Sequence, residues 1–175
     1  MELRKLIHSS FLGRIPIEYN RLVSIAPLVV FRIVFGLLMC FSLIRFWRRG
    51  WIESVYILPE FHFTYWGFDW VRPLGNPGMY ILFAIIIIST LLIVLGLFYR
   101  IATVVFFLGF TYVELIDVTT YLNHYYFISL VAFLLIWTPA NRFYSLDAYF
   151  RPSIKRARVP LWTIGIIRFQ LAIVY

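Results

Sequence analysis

From residue 78 to 98 the chain runs through IIIISTLLIVLGLF without a single charged side chain. That run matches the roughly 20 apolar residues a bilayer-spanning helix needs. Lipid admits only structures that satisfy every backbone N–H and C=O internally. A comparable run covers residues 27–47 and closes on Arg45, Arg48, Arg49 and Gly50. A third, residues 101–116, is short for a span. It follows the second across Arg100 so closely that the two read as an antiparallel helical hairpin. The fourth returns over residues 124–138 and is stopped by Pro139-Ala140-Asn141. A fifth, after Pro160, has 15 residues (161–175), about five fewer than a spanning helix wants.

These runs predict an all-α chain: a polytopic integral membrane helical bundle of four full spans plus a truncated fifth. Residues 1–26 are expected to form a cytoplasmic N-terminal segment. Residues 27–175 are expected to form a transmembrane domain incomplete at its C terminus, the N-terminal part of a longer protein.

Composition agrees. Hydrophobic residues make up 62% and charged ones 14%, with a mean hydropathy of +0.86; a soluble domain carries about 45–50% and about 25%. The net charge of +8 is not read as nucleic-acid binding, because the basic residues sit beside apolar runs, where membrane topology explains them. The single cysteine, Cys40, leaves no disulfide framework. The first 26 residues are polar and basic, and no small-residue cleavage site follows the next apolar run, so no secretory signal peptide is evident.

Lysine and arginine positions orient the bundle. With the N terminus inside, Arg4, Lys5, Arg14, Arg21, Arg100, Arg142, Arg151, Lys155, Arg156 and Arg158 fall on the inner side. Arg45, Arg48, Arg49 and Arg72 fall outside, and the connection 117–123 has none. The positive-inside rule thus puts the N terminus in the cytoplasm and His124 on the opposite face, although the first outer loop runs against the trend. The membrane is the cell membrane if the chain is bacterial.

Polar groups are costly at membrane depth and usually have a reason to be there. Residues 114–126, ELIDVTTYLNHYY, gather several. Histidine is the side chain whose unperturbed pKa lies nearest neutrality, so His124 is a candidate acid, base or oxyanion donor. Asn123 would orient it or a ligand carbonyl, beside the rings of Tyr121, Tyr125 and Tyr126. The same residues also read as interfacial ones, since tyrosine is enriched where helices meet headgroups. Glu114 and Asp117, at i, i+3, share a face if the helix persists. They bind a cation, do acid–base work, or pair with an intramembrane arginine, Arg32 or Arg168, because unpaired buried charge is expensive. Depth along the runs makes Arg168 the nearer partner.

Residues 59–75, PEFHFTYWGFDWVRPLG, are dense in rings: Phe61, Phe63, Tyr65, Trp66, Phe68 and Trp70 fall within ten positions. Such a segment lies on the membrane surface, ring bodies in lipid and polar edges in water. Alternatively it lines the entrance for a flat lipophilic ligand such as a quinone. No Gly-rich phosphate loop, Cys/His metal spacing or serine-hydrolase elbow occurs. Three scattered histidines, His8, His62 and His124, give no reason to expect a metal. No inverted repeat argues for a transporter.

The segment YLNHYYFISLVAFLLIWTPANRFYSLDAYF, residues 121–150, resembles the vitamin K-dependent gamma-carboxylase family and its bacterial relatives with the horizontally transferred transmembrane (HTTM) domain. Asn123-His124 opens a span, Ala140-Asn141 closes it, and Ser145-Leu146-Asp147 follows, in the family's order. Gly96-Leu97-Phe98-Tyr99-Arg100 resembles the family's Gly-Leu-x-Tyr-Arg, and Asp117 matches an acidic residue before the Asn-His pair. Val159-Pro160-Leu161-Trp162, Gln170 and Val174-Tyr175 resemble the start of its next helix. The resemblance covers residues 31–175, and its specificity lies in the combination.

What the resemblance implies is a quinol-driven carboxylation. Reduced vitamin K, or a related quinol, is oxygenated to a strong base that ends as the epoxide. The base takes a proton from the γ carbon of a glutamate in a peptide or protein, and CO2 adds to the carbanion. A water-excluding membrane site suits such a base. His124 takes the place of the family's active-site histidine, with Asn123 beside it. The family's catalytic lysine is expected just beyond Tyr175, and Lys5 and Lys155 match no such position. Residues 1–175 alone are therefore expected to be inactive. The alternative is a non-catalytic membrane module or a quinone-binding membrane subunit.

Overall fold

The computed structural model describes residues 20–174. Most of the expected cytoplasmic segment, with Lys5 and His8, lies outside the described residues, as does Tyr175. Helix α1 (Ala26–Arg48) takes Pro27 in its first turn, where a missing N–H costs nothing. It ends on Arg45 and Arg48, whose charges complement the carbonyl end of the helix. A π-helical turn (Glu53–Ile57) and the aromatic segment lead to α2 (Gly75–Leu95), followed by α3 (Tyr99–Ile116), a 3-10 turn (Val118–Thr120) and α4 (Asn123–Trp137). A short α5 (Leu146–Phe150), a second 3-10 turn (Pro152–Ile154) and α6 (Trp162–Val174) complete the helical elements.

The chain is an all-α bundle of membrane type. Helices α1, α2 and α3 are long and apolar enough to cross a membrane, while α4, with 15 residues, and α6, with 13, are apolar but shorter. The fourth run, read from sequence as a full span, therefore covers roughly 22 Å of a hydrocarbon core about 30 Å thick.

Helices adjacent in sequence pack side by side from α1 to α4, and α6 closes the ring between α4 and α1. Lipid is as apolar as leucine, so association in a membrane relies on close fit and small residues. Gly36 of α1 shows this: a Cβ there would stand 2.6 Å from Val94 Cγ2 and 3.2 Å from the Thr90 carbonyl of α2. Aromatic rings fill the middle. Phe106 meets Phe35 edge-on at 5.6 Å and stacks on Phe110 at 5.4 Å, and Phe46 stacks on Phe83 at 5.4 Å.

Two short strands, β1 (Leu22–Ser24) and β2 (Arg158–Pro160), pair antiparallel with Val23 opposite Val159. Ile25 N donates to the Ala157 carbonyl at 3.1 Å and Leu161 N to the Arg21 carbonyl at 2.9 Å, lengthening the ribbon. Ile25 and Val159 are buried beneath it. The ribbon fastens the residues before α1 to those before α6, a link the hydropathy pattern does not reveal.

Candidate functional site

The two ends of the bundle divide the candidate residues. At one end the α2–α3 connection turns through Gly96 (φ 63°) and Phe98 (φ 46°), both left-handed. Glycine tolerates this; a side chain there costs about 1–2 kcal/mol. The Phe98 turn is held by Asp147, whose Oδ1 accepts from Phe98 N at 2.9 Å and whose Oδ2 accepts from Tyr99 N at 3.1 Å. Asn141 Nδ2 donates to the same Oδ2 at 2.8 Å, and Asp147 N donates to the Gly96 carbonyl at 3.0 Å. Ser145 caps α5 by accepting from Ala148 N at 3.1 Å, and its hydroxyl donates to the Asn141 carbonyl. Tyr99 OH donates to the Leu135 carbonyl of α4 at 2.9 Å. The Gly96–Arg100, Ala140-Asn141 and Ser145–Asp147 motifs thus converge in one clasp that binds the start of α3 to the segment after α4.

Arg32 belongs to this clasp. It is fully buried, donating from Nη1 to the Ala140 carbonyl at 2.9 Å and from Nη2 to the Tyr144 carbonyl at 2.5 Å. The Asp147 charge lies near enough to attract it. The expected pairing of Glu114 and Asp117 with Arg32 or Arg168 is absent among the described residues, and distance is the reason. Arg32 sits at the Tyr99 end of α3, and Glu114 lies roughly 22 Å along that helix at 1.5 Å per residue. Arg168 is exposed on α6. Nor do the two carboxylates share a helical face, because α3 stops at Ile116 and Asp117 is extended (φ −144°). Asp117 instead caps the following turn, accepting from Thr119 N at 2.9 Å and Thr119 Oγ1 at 2.7 Å.

At the other end Asn123 and His124 open α4, both exposed, with the His124 ring edge-on to Tyr125 at 4.5 Å. Neither side chain has a hydrogen-bond partner among the described residues. The aromatic segment is tied down nearby. Val118 N donates to the Phe63 carbonyl at 2.7 Å, Tyr112 OH to the Arg72 carbonyl at 2.7 Å, and His62 Nε2 lies 3.2 Å from the Val55 carbonyl. Phe61, Phe63, Trp66 and Trp70 are exposed, Trp66 to 99%, as residues of a surface belt would be. Of the candidate entrance aromatics Phe61, Phe63, Tyr65, Trp66 and Trp70, only Tyr65 lines the cleft between α3 and α4.

That cleft, of about 390 Å³, is walled by Phe107, Leu115, Leu130, Phe133 and the rings of Tyr65, Tyr121 and Tyr126, with Thr111, Glu114 and Ser129 as its further polar members. Glu114 also borders a cavity of about 40 Å³ on its other side, with Ser42, Tyr56 and Tyr125. Burial and then the neighbouring Glu114 push the Tyr56 phenol up.

The cleft hydroxyls differ from others in the bundle. Ser89, Thr90 and Thr103 donate to the carbonyls of Ile86, Ile87 and Tyr99 at 2.6 to 2.7 Å, the usual outlet for a helical hydroxyl. Thr111 Oγ1 and Ser129 Oγ are buried and have no hydrogen bond. A buried hydroxyl left unpaired costs about 1–3 kcal/mol. Two of them on one apolar cleft suit a ligand that carries oxygens on an apolar frame. Sequence reading passes over both, because a serine or threonine in an apolar helix looks the same whether or not it bonds its own backbone.

A family model described as HTTM domain matches residues 20–175. No solved structure matches the chain.

Proposed function

The chain belongs to the HTTM-domain family, and on that premise we propose that it is a quinol-binding membrane protein of the gamma-glutamyl carboxylase type. The HTTM domain is found in vitamin K-dependent carboxylases. The observation that carries the reading is the cleft between α3 and α4. Its volume of about 390 Å³ accommodates a fused or substituted ring, and its two unpaired hydroxyls supply as many hydrogen-bonding groups as such a ring has oxygens.

The residues fit the group in chemistry as well as in size. Thr111 and Ser129 would hold the quinol oxygens, and Phe107, Tyr126 and Phe133 would pack the ring. Glu114 is the one carboxyl among the cleft-lining residues and is placed to take or return a proton within reach of the small cavity behind it. Asn123 and His124 open α4 between Tyr121 and Tyr126, both cleft residues, and on this reading they meet the glutamyl side chain of a peptide from the water side. There His124 would exchange a proton with substrate and Asn123 would hold a carbonyl. When bound, the reduced quinol would be oxygenated by dioxygen, and that oxidation supplies, in the family's chemistry, the base for the glutamyl γ proton. On this reading the Arg32 end faces the cytoplasm, following the bias of basic residues.

A second reading, a non-catalytic quinone-binding module, draws on the exposed Asn123 and His124, whose side chains make no hydrogen bond among the described residues. One experiment separates the two. The protein, expressed from its whole reading frame and placed in nanodiscs, is titrated with vitamin K and with menaquinone by tryptophan quenching. It is then given reduced quinol, dioxygen, a glutamate-rich peptide and labelled bicarbonate. Binding with label fixed in the peptide supports the carboxylase. Binding without label leaves the module, and no binding of either quinone overturns both.

A further inference from the structure

At the Arg32 end two cavities adjoin on the outer side of the α2–α3 hairpin. The first, about 750 Å³, is lined by Arg100 and Arg151 together with Phe98, Ile101, Phe150 and Ile154. Asp147 also lines it, but its oxygens are engaged by Phe98 N, Tyr99 N and Asn141 Nδ2. The second, about 420 Å³, is a groove between Ile85, Ile88 and Leu92 of α2 and Ile101 and Val105 of α3. Phe98 and Ile101 border both.

Arg100 and Arg151 are exposed, and neither guanidinium has a hydrogen bond or an ion pair among the described residues. Lys155, Arg156 and Arg158, also exposed, add to the same end, where Asp147 is the sole acid among the described residues. The positive-inside bias accounts for the sign of this surface. It does not account for two free arginines at the mouth of a groove that runs on, with apolar walls, toward the membrane interior. From Phe98 to Val105 the groove descends roughly 10 Å along α3 at 1.5 Å per residue.

We propose that the two cavities together form a binding site for one anionic glycerophospholipid. Its phosphate lies between Arg100 and Arg151, and one acyl chain lies in the α2–α3 groove. Guanidinium groups suit phosphate because their planar fork donates two parallel hydrogen bonds. The apolar groove selects a lipid over a soluble phosphate ester. The site is separate from the α3–α4 cleft and does not depend on what that cleft binds.

The test uses the full-length protein in dodecyl maltoside, titrated in turn with phosphatidylglycerol, phosphatidylcholine of the same acyl composition, and glycerol 3-phosphate. Thermal unfolding and lipid retained through gel filtration are both read. Phosphatidylglycerol is expected to raise Tm and to be retained. Removing both arginines, as R100Q/R151Q, is expected to weaken its binding about 25-fold, or about five-fold per charge. The V105W variant, which fills the groove, is expected to lose retention of both lipids. Should V105W fail to fold, R100Q/R151Q still decides, since it alters only exposed side chains. Equal retention of the two lipids by the unmodified protein would overturn the proposal. So would an undiminished phosphatidylglycerol preference in R100Q/R151Q, or glycerol 3-phosphate binding as tightly as the lipid.

Discussion

The guanidinium of Arg32 occupies the space that a side chain at Gly96 would need: a Cβ there would lie 2.5 Å from Nη1 and 3.0 Å from Cζ. An arginine buried in the first helix and a glycine ending the second are thus fitted to each other, and the backbone carbonyls of Ala140 and Tyr144 complete the fit. The clasp at this end ties α1, the α2–α3 turn and the segment after α4 to one another.

Gly96→Ala tests that fit. The left-handed backbone costs alanine about 1–2 kcal/mol, and displacing Arg32 and Ser145 adds about 1–3 kcal/mol of overpacking. Gly50→Ala is the control, since Gly50 has φ 68° but nothing within 4 Å of the added carbon. Thermal unfolding in detergent should show Gly96→Ala well below Gly50→Ala. Equal Tm values would mean that Arg32 moves aside freely.

Asp147→Ala removes the acceptor for Phe98 N, Tyr99 N and Asn141 Nδ2 and leaves the left-handed Phe98 unsupported. A loss of about 2–4 kcal/mol is expected, because bonds to a charged acceptor are roughly twice as strong as neutral ones. Asp147→Asn keeps one acceptor oxygen and should fall between. Unfolding midpoints ordered native, Asn, Ala would bear this out; an Ala variant as stable as the native chain would refute the clasp.

How far these features could be read beforehand depends on what kind of group makes each contact. Apolar runs mark helices directly, so α1 to α4 and α6 fall where hydropathy places them, and the Asn123 start and the Gly96 turn carry local chemistry that sequence displays. Charge is what sequence makes visible, so Arg32 reads, beside the nearer Arg168, as a candidate partner for a carboxylate. Its partners are two backbone carbonyls more than a hundred positions away, and every residue has one of those. The β1–β2 ribbon escaped for a related reason: three-residue strands show no alternation, and their pairing is set by where α1 and α6 begin. The motifs that carried the family resemblance were legible as motifs, but only folding shows that Asn141, Ser145 and Asp147 brace one another at the end away from His124.

Ser129→Ala distinguishes a structural from a ligand-binding hydroxyl. Ser129 Oγ forms no hydrogen bond, so its removal should leave Tm unchanged or slightly raised. Quinone affinity should nonetheless fall about five-fold, the value of one hydrogen bond of about 1 kcal/mol. The measurement is a quenching titration with menaquinone in nanodiscs, run beside thermal unfolding. A stabilised variant with unchanged affinity would take Ser129 out of the site.

His124→Ala should behave in the opposite way to the clasp variants. The side chain is exposed, makes no hydrogen bond among the described residues and packs edge-on to the Tyr125 ring, so stability should stay within about 0.5 kcal/mol of the native chain. Quinone binding should also persist, because His124 does not line the cleft. Carboxylation of a glutamate peptide by the full-length protein should fall about 10²- to 10⁴-fold, the range for a lost general acid–base group. His124→Gln, which keeps a hydrogen-bonding side chain without a titrating ring, then separates proton transfer from simple orientation. Activity restored by glutamine would assign His124 a holding role, and activity still absent would assign it the proton.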